Sequence, residues 1–494
     1  MFDIDACVNV NGCGVRGSPS RRTAWVDAVG VGLFVGRRAE AGKALGLMDD
    51  AGAAGPESFN RGQPAVTFAR AVEVHRLAVA GREPVIARSV GHLVARVWLR
   101  TSRFADVVAL ASATLTLGSD AGAFYDRGWA RRATGHPRLA LADYGQALAL
   151  CREVGDRSNE AATLSSIGAV YDGLGDRQRA LAFYGQALSI VREVGDRAGE
   201  AATLSNLGLV YDGLGDRRQA LAFYGQALPI MREVGDRAGE AATLSNLGLV
   251  YDGLGDRRQA LAFYGQALPI RREVGHRAGE AATLNNIGAV YDGLGDRRQA
   301  LAFYGQALPI VREVGDRAGE ALTLSNIGAA HDGLGDRRQA LAFYGQALPI
   351  VREVGDRTGE AVTLSNIGAV YDKLGDRQQA LAYYQQALPI RREVGDRTGE
   401  AATLNNIGFV RFQQGDLAGA VDALHEVLEL VRAVGDRSAE AMASFNMAVL
   451  FAQMARTDDA VEIQRRAIAL AESTEHPELQ AMRAFLIQLQ DQEG

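Results

Sequence analysis

The sequence predicts an all-α fold, a superhelical solenoid of stacked antiparallel helix pairs. Three observations predict it. A 40-residue block recurs along most of the chain, every copy carries its own helix start and stop signals, and no strand pattern interrupts them. The block 201–240 reads AATLSNLGLVYDGLGDRRQALAFYGQALPIMREVGDRAGE, and 241–280 differs from it only at Arg271 for Met231 and His276 for Asp236. The period runs from 121 to 480, which is 360 residues or nine units.

Residues 1–63 carry no period and include glycine-rich and Gly/Ala/Pro-rich turn-like stretches, so an irregular or partly disordered segment is expected there. Residues 64–120 read as a divergent helical cap or degenerate repeat, with Trp98 and Phe104 near pattern positions. Residues 477–494 read as a capping helix with an apolar stripe of Leu479, Met482, Leu486 and Leu489.

Within one unit the first helix is expected from Arg197 to Leu214, capped by Asp196 and stopped by Gly215. The second starts at the capping box Asp216–Gln219 and ends near Val234, before Gly235. Loops of about two residues force antiparallel neighbours. Pro229 falls inside the second helix, where it predicts a kink or a break near Leu228. Close helix packing is the expected reason for Gly225.

Leu204, Leu207, Gly208, Tyr211, Ala220, Tyr224 and Ala227 stand at the spacings of the tetratricopeptide repeat (TPR) signature. The sequence therefore resembles that family, in a form longer than its usual ~34 residues. Arg232 replaces the family's terminal proline. The long units are similar to the arrays of kinesin light chains, and more similar still to bacterial arrays attached to caspase-like CHAT proteases or STAND-class ATPases. The resemblance implies a right-handed superhelix whose first helices line a concave groove. For function it implies protein or peptide binding and little more.

A helical wheel puts Leu204, Leu207, Gly208, Tyr211 and Leu214 on the core stripe. Ala202, Asn206, Leu209 and Gly213 lie opposite, small and nearly uncharged where a solvated face would carry Lys, Arg or Glu. The amide recurs at Asn206, Asn246, Asn286, Asn326, Asn366, Asn406 and Asn446, with Ser166 one unit earlier. An amide both donates and accepts, so the row can grip an extended peptide backbone without reading side chains. The other reading of the row is that each Asn bonds the neighbouring repeat and stabilises stacking. Specificity then falls to positions that vary, notably Leu209, Leu249 and Phe409, with Lys373 and Gln413 replacing glycine late in the array. Asp212, Asp252, Asp292, Asp332 and Asp372 flank the groove, either as a solvated rim or as an attraction for a basic segment of the ligand.

The net charge is -6, which gives nucleic acid no general attraction. No apolar run reaches the ~18 residues of a membrane span. Three cysteines, Cys7, Cys13 and Cys151, make no disulfide framework and fit a reducing compartment. With no apolar leader at the start, a cytoplasmic location is expected. The seven histidines are scattered, Cys7 and Cys13 lack further zinc ligands, and Gly36–Lys43 has the wrong spacing for a phosphate loop. The expectation is a non-enzymatic scaffold without cofactor or metal, whose partner is a protein or extended peptide and neither nucleic acid nor membrane. Two rivals remain: a sensor arm for an ATPase or protease on a separate chain, and a regulator that responds to a short signalling peptide.

Overall fold

The structure, a computed structural model, describes residues 64–491. The expectations for residues 1–63, with Cys7, Cys13 and Gly36–Lys43, lie outside the described residues. Every described element is an α-helix. None is long and apolar enough to cross a membrane.

The chain divides into two compact units, one up to Val274 and one from Gly275. The first holds α1 (Pro64–Ala80), α2 (Pro84–Arg100), α3 (Phe104–Leu115), α4 (Ala121–Ala133), α5 (Pro137–Glu153), α6 (Arg157–Gly173), α7 (Arg177–Glu193), α8 (Arg197–Gly213), α9 (Arg217–Glu233), α10 (Arg237–Gly253) and α11 (Arg257–Glu273). The second holds α12 (Arg277–Gly293), α13 (Arg297–Glu313), α14 (Arg317–Gly333), α15 (Arg337–Glu353), α16 (Arg357–Lys373), α17 (Arg377–Val394), α18 (Arg397–Gln413), α19 (Leu417–Val434), α20 (Arg437–Gln453), α21 (Thr457–Ser473) and α22 (Leu479–Asp491). Within each unit consecutive helices pack, and the first helices of successive pairs also touch: α4, α6, α8 and α10 in one, α12, α14, α16 and α18 in the other. That second contact builds a continuous face from the first helices of each unit.

The Gly-Asp dipeptide sets the helix boundaries. Gly215 and Gly235 take φ of +83° and +71°, a region that costs glycine nothing. The carboxylates that follow them accept from backbone N–H groups, Asp216 from Gln219 at 3.1 Å and Asp236 from Gly239 at 2.8 Å. His276, which replaces a capping Asp, keeps the job: its Nδ1 accepts from the Gly279 N–H at 2.7 Å.

Three expectations are corrected. The first helix stops at Gly213, so Leu214 is a C-cap residue and 43% exposed rather than core. The second helix runs unbroken through Pro229 from Arg217 to Glu233. Gly225 meets nothing within 4 Å, so packing does not explain it. Packing does explain Gly208: a Cβ there would stand 2.7 Å from the ring of Tyr224. Ala220 and Ala227, fully buried, let the paired helices approach closely. Leu204, Leu207 and Ile230 fill the space between pairs, each contributing about 1.5–3 kcal/mol by burial.

The outer edge carries a repeated ion-pair chain. Glu200 accepts from Arg192 at 2.8 Å and from Arg197 at 2.5 Å, and Arg197 reaches on to Glu233 at 2.8 Å. Burial alone would raise the Glu200 pKa, but the two arginine hydrogen bonds outweigh it and hold the carboxyl below its ordinary range. The same chain recurs at Glu160 and Glu240 in the first unit, and at Glu320 and Glu360 in the second.

Candidate groove of the first helices

The face built by first helices carries the residues that the sequence singled out. In the first unit Asn206 is buried, Asn246 and Leu209 are half-buried, and Leu249 is 38% exposed. Asp212 and Asp252 are half-buried. In the second unit Asn286, Asn326, Asn366, Asn406 and Asn446 are half-buried, as are Phe409, Asp292, Asp332 and Asp372. The row is less open than a wheel of one helix implies, because each first helix also packs on the next.

Some amides have partners inside the array. The Asn246 amide opposes the rise that burial gives the Tyr224 pKa. Asn446 Nδ2 donates to Asn405 Oδ1 at 3.3 Å, across one repeat. Asn285, the residue before the predicted row, is buried and donates to Thr323 Oγ1 at 2.8 Å. Stacking and ligand contact thus compete for one set of groups.

The aspartates lie over the ends of the core tyrosines. Burial raises the Tyr304, Tyr344 and Tyr384 pKa values, and the carboxylates of Asp292, Asp332 and Asp372 raise them further. Burial in turn lifts the carboxyls of Asp292 and Asp372 above the ordinary range, against the pull of Arg297 on one and of Arg377 and Lys373 on the other. In all three aspartates Oδ1 is buried without a hydrogen-bond partner. Asp332 turns its other oxygen to Lys373 Nζ at 2.6 Å, which ties α14 to α16.

A row of arginines escaped the sequence reading. Arg177 lies across Gly213, Arg217 across Gly253 and Arg297 across Gly333, so close that a Cβ on Gly333 would stand 2.0 Å from the Arg297 Nε. These glycines exist to let a guanidinium pass. Where glycine gives way to Gln413, Arg377 Nε donates to its Oε1 at 2.7 Å. The acidic rim is therefore interleaved with cations; Arg297 Nε lies 3.8 Å from Asp292 Oδ1. The only signal in sequence was glycine recurring 36 residues after arginine.

Two histidines that looked scattered are engaged in the first unit. His75 Nε2 and Thr114 Oγ1 are 2.8 Å apart, and His92 Nδ1 lies 2.8 Å from the buried Asp126 carboxylate. Burial lowers the His92 pKa but its bond to Asp126 more than compensates, leaving it raised. Among the described residues no group of three His, Cys, Asp or Glu is placed to hold a metal ion.

Stacked helix pairs with a polar face of first helices define an α-solenoid of the repeat-scaffold class. The tetratricopeptide repeat profile matches residues 120–193, 178–233, 199–273, 239–313, 279–353, 319–393 and 399–473, and the chain belongs to that family. No curated protein sequence matches the chain. Among solved structures, the chain is similar to a Signal Transduction ATPase with Numerous Domains (STAND) protein with a tetratricopeptide repeat sensor from Pyrococcus horikoshii. The TM-score is 0.54 at 14% identity, covering 83% of this chain and 62% of that one. It is also similar to the apo form of the quorum sensor NprR from B. thuringiensis, with TM-score 0.50 and 16% identity over 66% of this chain and 98% of that one. A third structure, BtubC (BKLC) from P. vanneervenii, gives TM-score 0.41 and 24% identity over 43% of this chain and 90% of that one. At these identities the likeness is one of fold.

Proposed function

We propose that the chain is a non-catalytic cytoplasmic scaffold that binds an extended peptide segment of a partner protein along its first-helix face. The amide row takes the ligand backbone, and the aspartates take basic side chains. The observation that carries this reading is the set of buried carboxylate oxygens on Asp292, Asp332 and Asp372 that accept no hydrogen bond, repeated beside half-buried amides. An acceptor left unmade in a half-buried site costs stability, and a ligand N–H or ammonium group removes that cost.

The test starts with a pull-down to obtain a ligand, followed by affinity and melting measurements on Asn286→Ala/Asn326→Ala/Asn366→Ala. Each hydrogen bond is worth about 0.5–1.5 kcal/mol net, so the triple variant should lose about 2–4 kcal/mol of binding with little change in melting temperature. A large drop in melting temperature instead supports the stacking reading, which the Asn446–Asn405 bond favours at its own position. Unchanged affinity in a folded triple variant rules the row out as the binding device. The fold shared with the STAND sensor arm favours a second reading, a sensor acting on a catalytic partner chain, for which co-purification of that chain is the test.

A further inference from the structure

A buried charge joins the helical cap to the first repeat. α2 packs on its chain neighbours α1 and α3, and it also touches α4, much as α4 touches α6. Asp126 on α4 holds the position that Ser166 and Asn206 take one and two periods later. It is a carboxylate where those residues are neutral, and it is 2% exposed. Its Oδ2 lies 2.8 Å from Nδ1 of His92 on α2. A buried carboxylate is costly unless a counter-charge accompanies it. An imidazole supplies that charge only while it is protonated.

The surroundings favour a proton on this pair and on no other histidine beside it. His92 keeps a quarter of its side chain exposed, so its proton exchanges with solvent. A small cavity between α2, α3 and α4 is lined by Arg88, His92, Thr114, Asp120 and Asp126. From α1 comes His75, which meets α2 at Gly91 and whose Nε2 lies 2.8 Å from Thr114 Oγ1 on α3. Burial lowers the His75 pKa, and Thr114 carries no charge. From α2 itself come Arg88 and Arg96. Arg88 is turned to the start of α4, where its Nη2 donates to the Ser119 carbonyl at 3.1 Å and its Nε lies 3.7 Å from Asp120. Burial lowers the His92 pKa and Arg96 lowers it further, but the bond and charge of Asp126, with the charge of Asp120, outweigh both and raise it. Burial lifts the Asp126 carboxyl more than the His92 bond pulls it down, so the two groups titrate as a pair.

We propose that His92 and Asp126 form a proton-operated latch between the helical cap, α1 to α3, and the repeat array that begins at α4. With His92 protonated the seam between α2 and α4 is an ion pair and stays shut. With the proton gone Asp126 is a buried charge that has lost its counter-charge, and the seam opens to let water reach it. A histidine whose pKa is raised by folding contributes fully below its ordinary 6.5 and loses that contribution as the pH rises through the folded value. The cap is therefore tight in mildly acidic solution and loose above it. Opening frees the end of the face to which α4, α6 and α8 belong, whatever ligand that face takes.

The test is hydrogen exchange by mass spectrometry on the full chain between about pH 5.5 and 8.5, corrected for the intrinsic rate at each pH. In wild type the protection of α2 should fall about tenfold for each unit by which the His92 pKa exceeds its ordinary value, while α8 keeps its protection. The His92 ring resonance, assigned by its loss in His92→Gln, should titrate above 6.5. His92→Gln keeps an N–H donor for Asp126 but cannot titrate, and Asp126→Asn places the later repeats' amide at this position. In both variants α2 protection should not follow the pH, and either one suffices if the other unfolds. A His92 midpoint at or below 6.5, a wild-type α2 whose protection ignores pH, or a pH-dependent α2 in a folded variant overturns the latch and leaves the groove reading standing.

Discussion

Two regions of the second unit solve the same packing problem with different chemistry. From α12 to α17 each interface is a small apolar cluster of four or five buried residues, such as Ala340, Tyr344, Ile367 and Val370. A tyrosine ring on a glycine and a buried glutamate between two arginines complete it. From α18 to α22 one large cluster joins fourteen buried residues, including Leu424, Val427, Met447, Phe451 and Leu489, and a second gathers Ala441, Phe445, Ala467, Ala471 and Met482. Leu424 stands where the earlier units have Tyr344 and Tyr384, and Gly408 now meets only ordinary contacts at 3.5 Å and beyond. A middle repeat has neighbours on both sides and can keep polar groups in its seams. The terminal pairs keep one such seam, Glu440 between Arg432 and Arg466, but they must also close the core against water, and apolar volume does that.

The sharpest test of that difference is truncation. Ending the chain after Glu475 removes α22, uncovers the pocket filled by Met482 and Leu489, and takes the Met482 carbonyl from the buried Gln464 amide, a bond of 2.6 Å. Loss of the wild-type elution peak to aggregate in size-exclusion chromatography and a melting temperature lower by roughly 10 °C or more are expected. Deleting residues 321–360, one whole period, should leave helical circular dichroism per residue unchanged. Were the two constructions equally stable, the end would be no different from the middle.

Glycine to alanine separates the regions next. A Cβ on Gly328 would stand 2.9 Å from the Tyr344 ring, so Gly328→Ala should cost about 2 kcal/mol in denaturant melts. Gly408→Ala meets no such obstacle and should gain up to ~1 kcal/mol from helix propensity. Like signs for the two would break the comparison.

Glu320→Gln probes the polar seam itself. Its partners Arg312 and Arg317 are half exposed, so a modest loss of about 1 kcal/mol at neutral pH is expected. Burial raises the Glu320 pKa, but the arginine bonds lower it further, to below its ordinary 4.5. The contribution is thus complete above about pH 4.5 and disappears as the pH falls through the lower folded value. Melting curves of wild type and variant should converge on acidification; a constant gap would mean that the carboxyl does not titrate with folding.

The smallest effect concerns proline. Pro349 lies within α15, a place that Ala149 fills in α5, and α19 and α21 carry no proline there. Pro349→Ala should stabilise the chain by about 0.5–1 kcal/mol in thermal melts. A loss instead would show that the proline has a packing role peculiar to the middle repeats.

The period and the helix ends were legible because their causes are local: a glycine at positive φ and an aspartate three residues from the N–H it caps. The core tyrosine and its glycine were legible as family positions. Leu214 was misplaced because the wheel was carried one residue past Gly213, where the helix ends. The half-burial of the asparagine row and the arginines across Gly213 and Gly253 were hidden for another reason. They depend on a second helix whose distance no single-helix pattern encodes.

The glutamate chain on the outer edge has a consequence for heredity. Glu200 finds one arginine 8 residues back and another 3 residues back, and that second arginine finds Glu233 36 residues further. Every one of these offsets fits inside a period of 40. A gene that loses or duplicates one period by unequal exchange therefore encodes a protein in which each charge still meets its partner. Length in such a chain is a dial: recombination can turn it one notch at a time, and every setting folds.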